Sequence, residues 1–386
     1  WVVLWRELLV ENCALPPWCS SSFPPPPHED LPKVLQLLEN ATVEVEEKTR
    51  KAQRAVPEET SVLLFPGQGS QFVGMGRGLL RYPNVRQLFR VAEAVLGYDL
   101  WSLCQDGPSA RLHRTVHSQP AVFVCSLAAV EKLHHHFQKK KKFIQQLCCV
   151  AAAGFSIGEY AALVFAGAMD YAEALYAVKT RAEAMQEASE IIPSGMLSVI
   201  GRRDSDYKTA CLEALEYCKT EGIEDPVCEV SNYLFPDSRV IAGHIQALEF
   251  LQKNSKKFSF ARVKILPVSG AFHTRLMKSA MQPLSEALES ITIQEPLISV
   301  YSNVDSKKYR QPEKIQHCLV EQLVSPVKWE QIMHTIYERN KGKKFPYTYE
   351  VGPGKQLGAI LRSCNLKASK YYSNIEVSED ETNEET

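Results

Sequence analysis

Gly154-Phe155-Ser156-Ile157-Gly158 is a G-x-S-x-G run. Between a strand and a helix, such a run makes a sharp turn: the glycines allow close backbone approach and the serine is lifted to a helix N-terminus. The Ile157 N–H is then free to donate to an oxyanion. An ordinary glycine turn carrying an inert serine is the other reading. A serine is a poor nucleophile without a base in hydrogen-bond reach. His244, His273, His317 and His334 follow it in the chain. His317 and His334 lie on charged helical stretches, where a histidine is solvated, and His244 follows Gly243 at a strand end. His273 sits in Pro267-Val-Ser-Gly-Ala-Phe-His273-Thr, where a strand runs into a glycine turn, a loop suited to a site. No acid stands out as a third partner for it.

Three further segments could serve such a site. At about 100° per residue, Arg181 falls beside Ala174, Val178 and Met185, at the edge of an apolar stripe. An arginine there is partly desolvated and needs an anionic partner, either an ion pair of the fold or a ligand carboxylate. Gly67-Gln68-Gly69-Ser70-Gln71 lacks the lysine and spacing of a P-loop; a backbone donor beside an active site suits it better. Gly352-Pro353-Gly354 is either a ligand loop or a structural turn. Lys139–Lys142 after three histidines lacks the aromatic interleaving and the His/Cys spacing that nucleic-acid or metal binding would need. It reads as a solvated loop.

The elements that must hold these residues alternate in type. Ser61–Phe65 reads as an apolar strand, Gln119–Leu133 as a helix ending in His134–His136, and Val150–Ala153 as a strand before the serine turn. Asp170-x-x-Glu173 reads as a capping box opening a helix to about Glu190. From 195 to 267 the order is strand, helix, strand, strand, helix, strand, the βαββαβ pattern of ferredoxin-like units. The α/β body resumes with strands at Ser299–Tyr301 and Thr348–Val351.

The chain is 386 residues long, 45% hydrophobic and 23% charged, with a formal net charge of −1. That fits one large α/β domain with an insertion, or two domains. No apolar run reaches the roughly 18 residues a membrane-spanning helix needs. Eleven cysteines without a CxxC pair exclude a zinc ribbon and a full disulfide framework and fit a reducing compartment. Residues 1–60 carry a Ser/Pro tract and read as a processed leader, although Glu7 and Glu11 depart from an acid-poor presequence. From Tyr371 onward six carboxylates and no base read as an acidic disordered tail. Residues 1–60 hold six Lys or Arg against ten Asp or Glu, so the segment between the two ends carries a net +9. A basic body suits anionic partners through steering that salt weakens.

Four motifs occur in order: Phe65-Pro-Gly-Gln68-Gly-Ser-Gln71, Gly154-x-Ser156-x-Gly158-Glu159, Ala271-Phe272-His273 and Glu350-Val-Gly-Pro-Gly354. Together they resemble the malonyl-CoA:acyl-carrier-protein transacylases and the acyltransferase domains of fatty acid and polyketide synthases, over about Ser61 to Lys370. The chain looks most like the vertebrate mitochondrial members. The resemblance implies an α/β-hydrolase-like body (61–188 and 268–370) with an inserted ferredoxin-like subdomain (189–267). It implies Ser156 as nucleophile, His273 as base, and the backbone carbonyl of Gln322 orienting the histidine. The oxyanion hole would be the N–H groups of Gln68 and Ile157. Arg181 would hold the malonyl carboxylate, with Phe272 and Asn232 as further substrate contacts. Phe155 stands where the family commonly has histidine, a side chain that is not the base.

The implied reaction is a ping-pong transfer. Ser156 takes malonyl from malonyl-CoA and passes it to the phosphopantetheine thiol of acyl carrier protein, with no metal and no cofactor. The expected partners are CoA and the carrier protein, with no nucleic acid and no membrane span, the state a monomer and the compartment the mitochondrion. A serine esterase or thioesterase, or a non-catalytic carrier-protein partner, is the rival reading. The Gln68 loop and Arg181 weigh against the first, and intact Ser156 and His273 against the second.

Overall fold

A computed structural model describes residues 60–139, 148–340 and 342–378. The expected leader, Lys140–Lys142 and the end of the acidic tail lie outside them. The first sheet has five strands, all parallel, in the order β10-β9-β1-β2-β7. They are β1 (Thr60–Phe65), β2 (Cys148–Gly154), β7 (Ser299–Val300), β9 (Tyr347–Val351) and β10 (Tyr372–Ile375). Every residue of β1 is buried, as a central parallel strand covered on both faces requires. Alternation divides it between two cores. Leu63 and Phe65 join the large core with Ala152, Phe123 and Leu163. Val62 and Leu64 pack on the other face with Ala151, Ala153, Trp329 and Ile332.

Helix α1 (Thr115–Lys139) is longer than the sequence suggested. It runs through the three histidines because His135 and His136 pack edge-on against the Tyr82 ring, at 5.2 and 5.9 Å between centroids. Helix α2 (Gly158–Phe165) follows β2, and α3 (Tyr171–Ile191) follows α2. Asp170 caps α3 by accepting from the Ala172 and Glu173 amides. The reciprocal arm of the expected box goes elsewhere, since the Glu173 carboxylate accepts from the Thr292 amide at 3.1 Å.

The second sheet holds β3 (Ser194–Ile200), β4 (Cys228–Phe235), β5 (Ser238–His244) and β6 (Arg262–Ile265), with helices α4 (Tyr207–Thr220) and α5 (Ile245–Lys253) between them. Its order is β6-β3-β5-β4-β8, antiparallel through β4. The fifth strand is β8 (Val327–Lys328), which comes from the body and lies parallel to β4. Two residues carry no readable periodicity, so nothing in the sequence announces this strand. An ion pair at 2.9 Å between Arg239 of β5 and Glu330, in helix α6 (Trp329–Tyr337), joins the two units again.

One boundary is corrected. The acidic tail expected from Tyr371 begins later, because β10 pairs with β9 and the buried Val377 accepts from the Gly76 amide at 2.7 Å. The stretch opens with the uncharged run Tyr371-Tyr-Ser-Asn-Ile375, and averaging over sixteen residues concealed a strand-forming head. The Gly352-Pro353-Gly354 loop also resolves into architecture. Glu350 accepts from the Leu357 and Gly358 amides, capping helix α7 (Gln356–Cys364), and from the Tyr372 hydroxyl. Gly352 has φ 135°, and a Cβ there would stand 2.4 Å from Ser126 Oγ and 2.7 Å from Pro66 Cγ. Pro66 leads directly into the Gln68 loop, so Gly352 buttresses that loop. Gly352→Ala is expected to cost about 2 kcal/mol or more from overpacking, read as a thermal midpoint lowered by several degrees. An unchanged midpoint would show that the contact yields freely.

Candidate active site

The first sheet delivers its functional residues at the carboxyl ends of β1, β2 and β7, where open parallel sheets hold their ligands. β2 stops at Gly154 and α2 starts at Gly158, so the chain turns within three residues. A Cβ on Gly154 would lie 1.9 Å from the Gly158 carbonyl carbon, and one on Gly158 would lie 2.3 Å from the Phe65 oxygen. Both positions therefore need glycine. Between them Ser156 sits at φ 51°, a left-handed conformation costing a serine roughly 1–2 kcal/mol. Asn303, three residues past β7, holds it there. Its Oδ1 accepts from the Ser156 amide at 2.7 Å and its Nδ2 donates to the Gly154 oxygen at 2.8 Å.

Ser156 Oγ lies 2.9 Å from His273 Nε2, and His273 Nδ1 lies 2.7 Å from the Gln322 backbone oxygen. A carbonyl can only accept, so Nδ1 carries the proton and Nε2 presents its lone pair to the serine hydroxyl. This fixes the tautomer without an acid. The expected pair is assembled, and His244 belongs to a different environment, where its Nδ1 accepts from the Val227 amide.

Arg181 is fully buried, deeper than an edge-of-stripe position implied. Its Nη1 donates to Gln119 Oε1 at 2.6 Å, and its Nη2 to Ser156 Oγ at 3.0 Å and Gln322 Oε1 at 2.8 Å. Its Nε has no partner. Among the described residues no carboxylate lies within ion-pair distance of the guanidinium. The charge is thus held by neutral oxygens and the face of the Tyr160 ring, 5.7 Å away, and burial works against it, offset in part by Tyr160 and by the more distant Glu159.

The Gln68 amide and the Ile157 amide, the expected oxyanion donors, have no acceptor among the described residues. The Gln68 side chain is pinned from both ends, donating to Thr115 Oγ1 at 3.3 Å and accepting from Gln119 Nε2 at 3.2 Å. Ser70 and Gln71 spend their side chains on the loop's own backbone, which stiffens it. Phe272 is buried in the large core next to the histidine. Asn232 is buried in β4, where its Oδ1 accepts from Ser231 Oγ, and it bonds none of the residues above. Phe155 stacks edge-on against Trp329, at 5.4 Å between centroids.

Sequence reasoning missed Asn303, Gln119, Tyr309 and the part played by Glu159. Glu159 was visible as the one charged residue in the otherwise apolar helix Gly158-Glu-Tyr-Ala-Ala-Leu-Val-Phe165, all of it buried. Its carboxylate accepts from Tyr309 Oη at 2.5 Å, from Gln322 Nε2 at 2.6 Å and from the Asn303 amide. Burial pushes its carboxyl up to about 7, against these hydrogen bonds and the Arg181 charge.

A glycine-framed serine, a histidine oriented by a carbonyl and a buried arginine with no carboxylate in contact form a site for acyl transfer onto a hydroxyl. Residues 62–344 match the acyl transferase domain family. The chain belongs to that family. It is 63% identical over 359 residues to the mitochondrial malonyl-CoA-acyl carrier protein transacylase of Homo sapiens, covering 93% of this chain and 90% of the human one. Among solved structures, the malonyl CoA-acyl carrier protein transacylase of Coxiella burnetii superposes with a TM-score of 0.72 at 30% identity, covering 84% of this chain and 95% of that one. A malonyl-transacylase solved in complex with its type II polyketide synthase acyl-carrier protein gives 0.69 at 34% identity, with 82% and 94% covered.

In this acyl transferase the protonation states are set by burial. Burial and then the Arg181 charge push the His273 imidazole down to about 4, so it is neutral at neutral pH. A lowered histidine pKa means the unfolded chain binds more protons between about pH 4 and 6.5, so His273 adds stability as pH rises through that window. Glu159, raised to about 7, acts in the opposite sense over an overlapping range. The pH dependence of stability therefore mixes two opposed contributions, and a site-specific probe is needed. Carbon-13 NMR of labelled histidine is expected to show His273 still neutral at pH 5.5, when an exposed histidine is mostly protonated. A His273 titration near 6.5 would refute the buried-base picture.

Proposed function

We propose that this acyl transferase carries malonyl from malonyl-CoA to the phosphopantetheine thiol of acyl carrier protein through a malonyl-Ser156 ester, supplying fatty acid synthesis. The observation that carries the reading is the Arg181 guanidinium, buried without a carboxylate and hydrogen-bonded to the serine hydroxyl. A malonyl carboxylate supplies the missing charge. It would add a planar, charged, bidentate partner to the neutral oxygens already in contact, using the free Arg181 Nε among its donors, which an acetyl group cannot do.

In this reading Ser156 attacks the thioester as His273 Nε2 takes its proton, and the Nδ1–H to Gln322 oxygen bond keeps the ring in line. The tetrahedral oxygen is received by the Gln68 and Ile157 amides, one at the tip of a self-bonded loop and the other at a helix start. Collapse releases CoA, which takes the proton from the imidazolium. The carrier thiol then attacks the ester, with His273 again removing the proton, and Ser156 is regenerated. Phe272 and Asn232 would line the acyl and pantetheine approach. The chemistry needs no metal and no cofactor.

The same reading takes residues 61–188 and 268–370 as an α/β-hydrolase-like body and 189–267 as a ferredoxin-like insertion, supported by the βαββαβ order and the strand order β6-β3-β5-β4. The net +9 between the acidic ends supports CoA phosphates and an acidic carrier protein as partners. The human relative is named as mitochondrial, and this chain acts in the same compartment.

Incubation with malonyl-CoA alone is expected to yield a malonyl adduct on Ser156, discharged by holo carrier protein much faster than by water. No adduct, or one lost equally to water, would point to an esterase and sink the transferase reading. Arg181→Ala is expected to lower malonyl transfer by roughly two to three orders of magnitude, the scale of unpairing a buried charge, while sparing acetyl transfer. Equal losses for both acyl groups would make Arg181 structural.

A further inference from the structure

The catalytic steps above use the backbone oxygen of Gln322 and leave its side chain unexplained. That side chain lies completely buried between two charged groups. Its Oε1 accepts from Arg181 Nη2 at 2.8 Å, and its Nε2 donates to Glu159 Oε2 at 2.6 Å and to the Ser156 oxygen at 3.2 Å. An amide turned end for end would set Nε2 against the Arg181 N–H, donor facing donor, and leave its oxygen facing the carboxylate. We propose that Glu159 is a positioning residue for substrate choice: by accepting from Gln322 Nε2 at Oε2, it fixes which end of the Gln322 amide faces Arg181, and so holds the guanidinium where a malonyl carboxylate is received. The proposal rests on the malonyl-transfer reading.

Three features support it. Every group that reaches the Glu159 carboxylate is a donor, namely the Tyr309 hydroxyl, the Gln322 amide and the Asn303 N–H. The backbone of Glu159 lies close against the end of β2, where a Cβ on Gly154 would stand 2.2 Å from the Glu159 nitrogen. Glu159 hydrogen-bonds neither Ser156 Oγ nor His273; of its partners, Asn303 leads to the serine turn and Gln322 to Arg181, so an effect specific to malonyl is the one that passes through Gln322. Tyr309 bonds the opposite oxygen, Oε1, which makes it a control for damage to the same buried cluster.

The test measures single-turnover acylation of Ser156 by malonyl-CoA and by acetyl-CoA and reads the malonyl-to-acetyl ratio. Glu159→Met removes the acceptor and is expected to lower that ratio by about tenfold or more, the scale of coupled buried pairs. Glu159→Gln keeps an amide oxygen for Gln322 Nε2 and is expected to retain most of the ratio. Tyr309→Phe is expected to leave the ratio unchanged, whatever it costs in stability. Gln322→Met, which keeps the backbone oxygen, is expected to lower the ratio, with no further fall when Glu159→Met is added. If Glu159→Met gives no folded protein, Glu159→Asp, with its carboxylate drawn back by one methylene, is read in the same way.

A Glu159→Met ratio equal to wild type, with both rates falling together, would overturn the proposal and leave a merely structural carboxylate. So would a Glu159→Gln ratio as low as that of Glu159→Met, or a double variant whose loss is additive. Wild-type protein that takes no malonyl at all would instead overturn the malonyl-transfer reading, so the two failures are distinguishable.

Discussion

A cation held in the protein interior by neutral oxygens and an aromatic face, with no carboxylate in contact, organises the rest of this site. Arg181 is fully buried and bonded to Gln119, Gln322 and Ser156, none of which carries a charge. Taking a guanidinium out of water costs several kcal/mol even after relaxation. Neutral acceptors recover only part of that cost, so the fold keeps an electrostatic deficit beside the Ser156 hydroxyl. The acceptors come from three separate elements, α1, the serine turn and the residue following helix Pro312–Glu321. Each is placed by packing remote from the guanidinium: α1 by the large core, the turn by its two glycines, and Gln322 by Leu319 and Leu323 on either side.

The serine turn stores a second, smaller tension. A left-handed serine persists because the surroundings over-determine it. Asn303 grips the turn on both sides, and the Phe65, Gly154 and Gly158 backbones are in contact with no room for a methyl group. His273 is also left-handed, at φ 62°, and the Thr274 hydroxyl ties back to the Ala271 oxygen at 2.7 Å. Ser156 and His273 thus both stand on constrained left-handed backbone, and the Gln322 carbonyl fixes the imidazole tautomer.

Much of this could be read from residue types and spacing, and the limits have physical reasons. The long strands and helices were legible because continuous burial and helical periodicity leave a pattern, and the six elements from β3 to β6 emerged in order. The pairing of Ser156 with His273 was legible because glycines and a post-strand loop mark their turns. Gln322 was not derivable from its own type, since its backbone oxygen does the orienting and every residue has one. Asn303 and Gln119 meet the site across more than sixty positions of chain, a relation no local pattern encodes. The depth of Arg181 was underestimated because a helical wheel gives a direction and never the thickness of what lies beyond it.

The two-residue strand β8 has a larger consequence than its length suggests. It stitches the second sheet to the body through hydrogen bonds to β4, five residues beyond the Gln322 that steers His273. Units joined by shared sheet pairing, and again by the Arg239–Glu330 ion pair, cannot swing apart as a jaw does without breaking backbone bonds. Shelter from water at the serine then has no need of a jaw: Ser156 and His273 are already only 8% and 4% exposed.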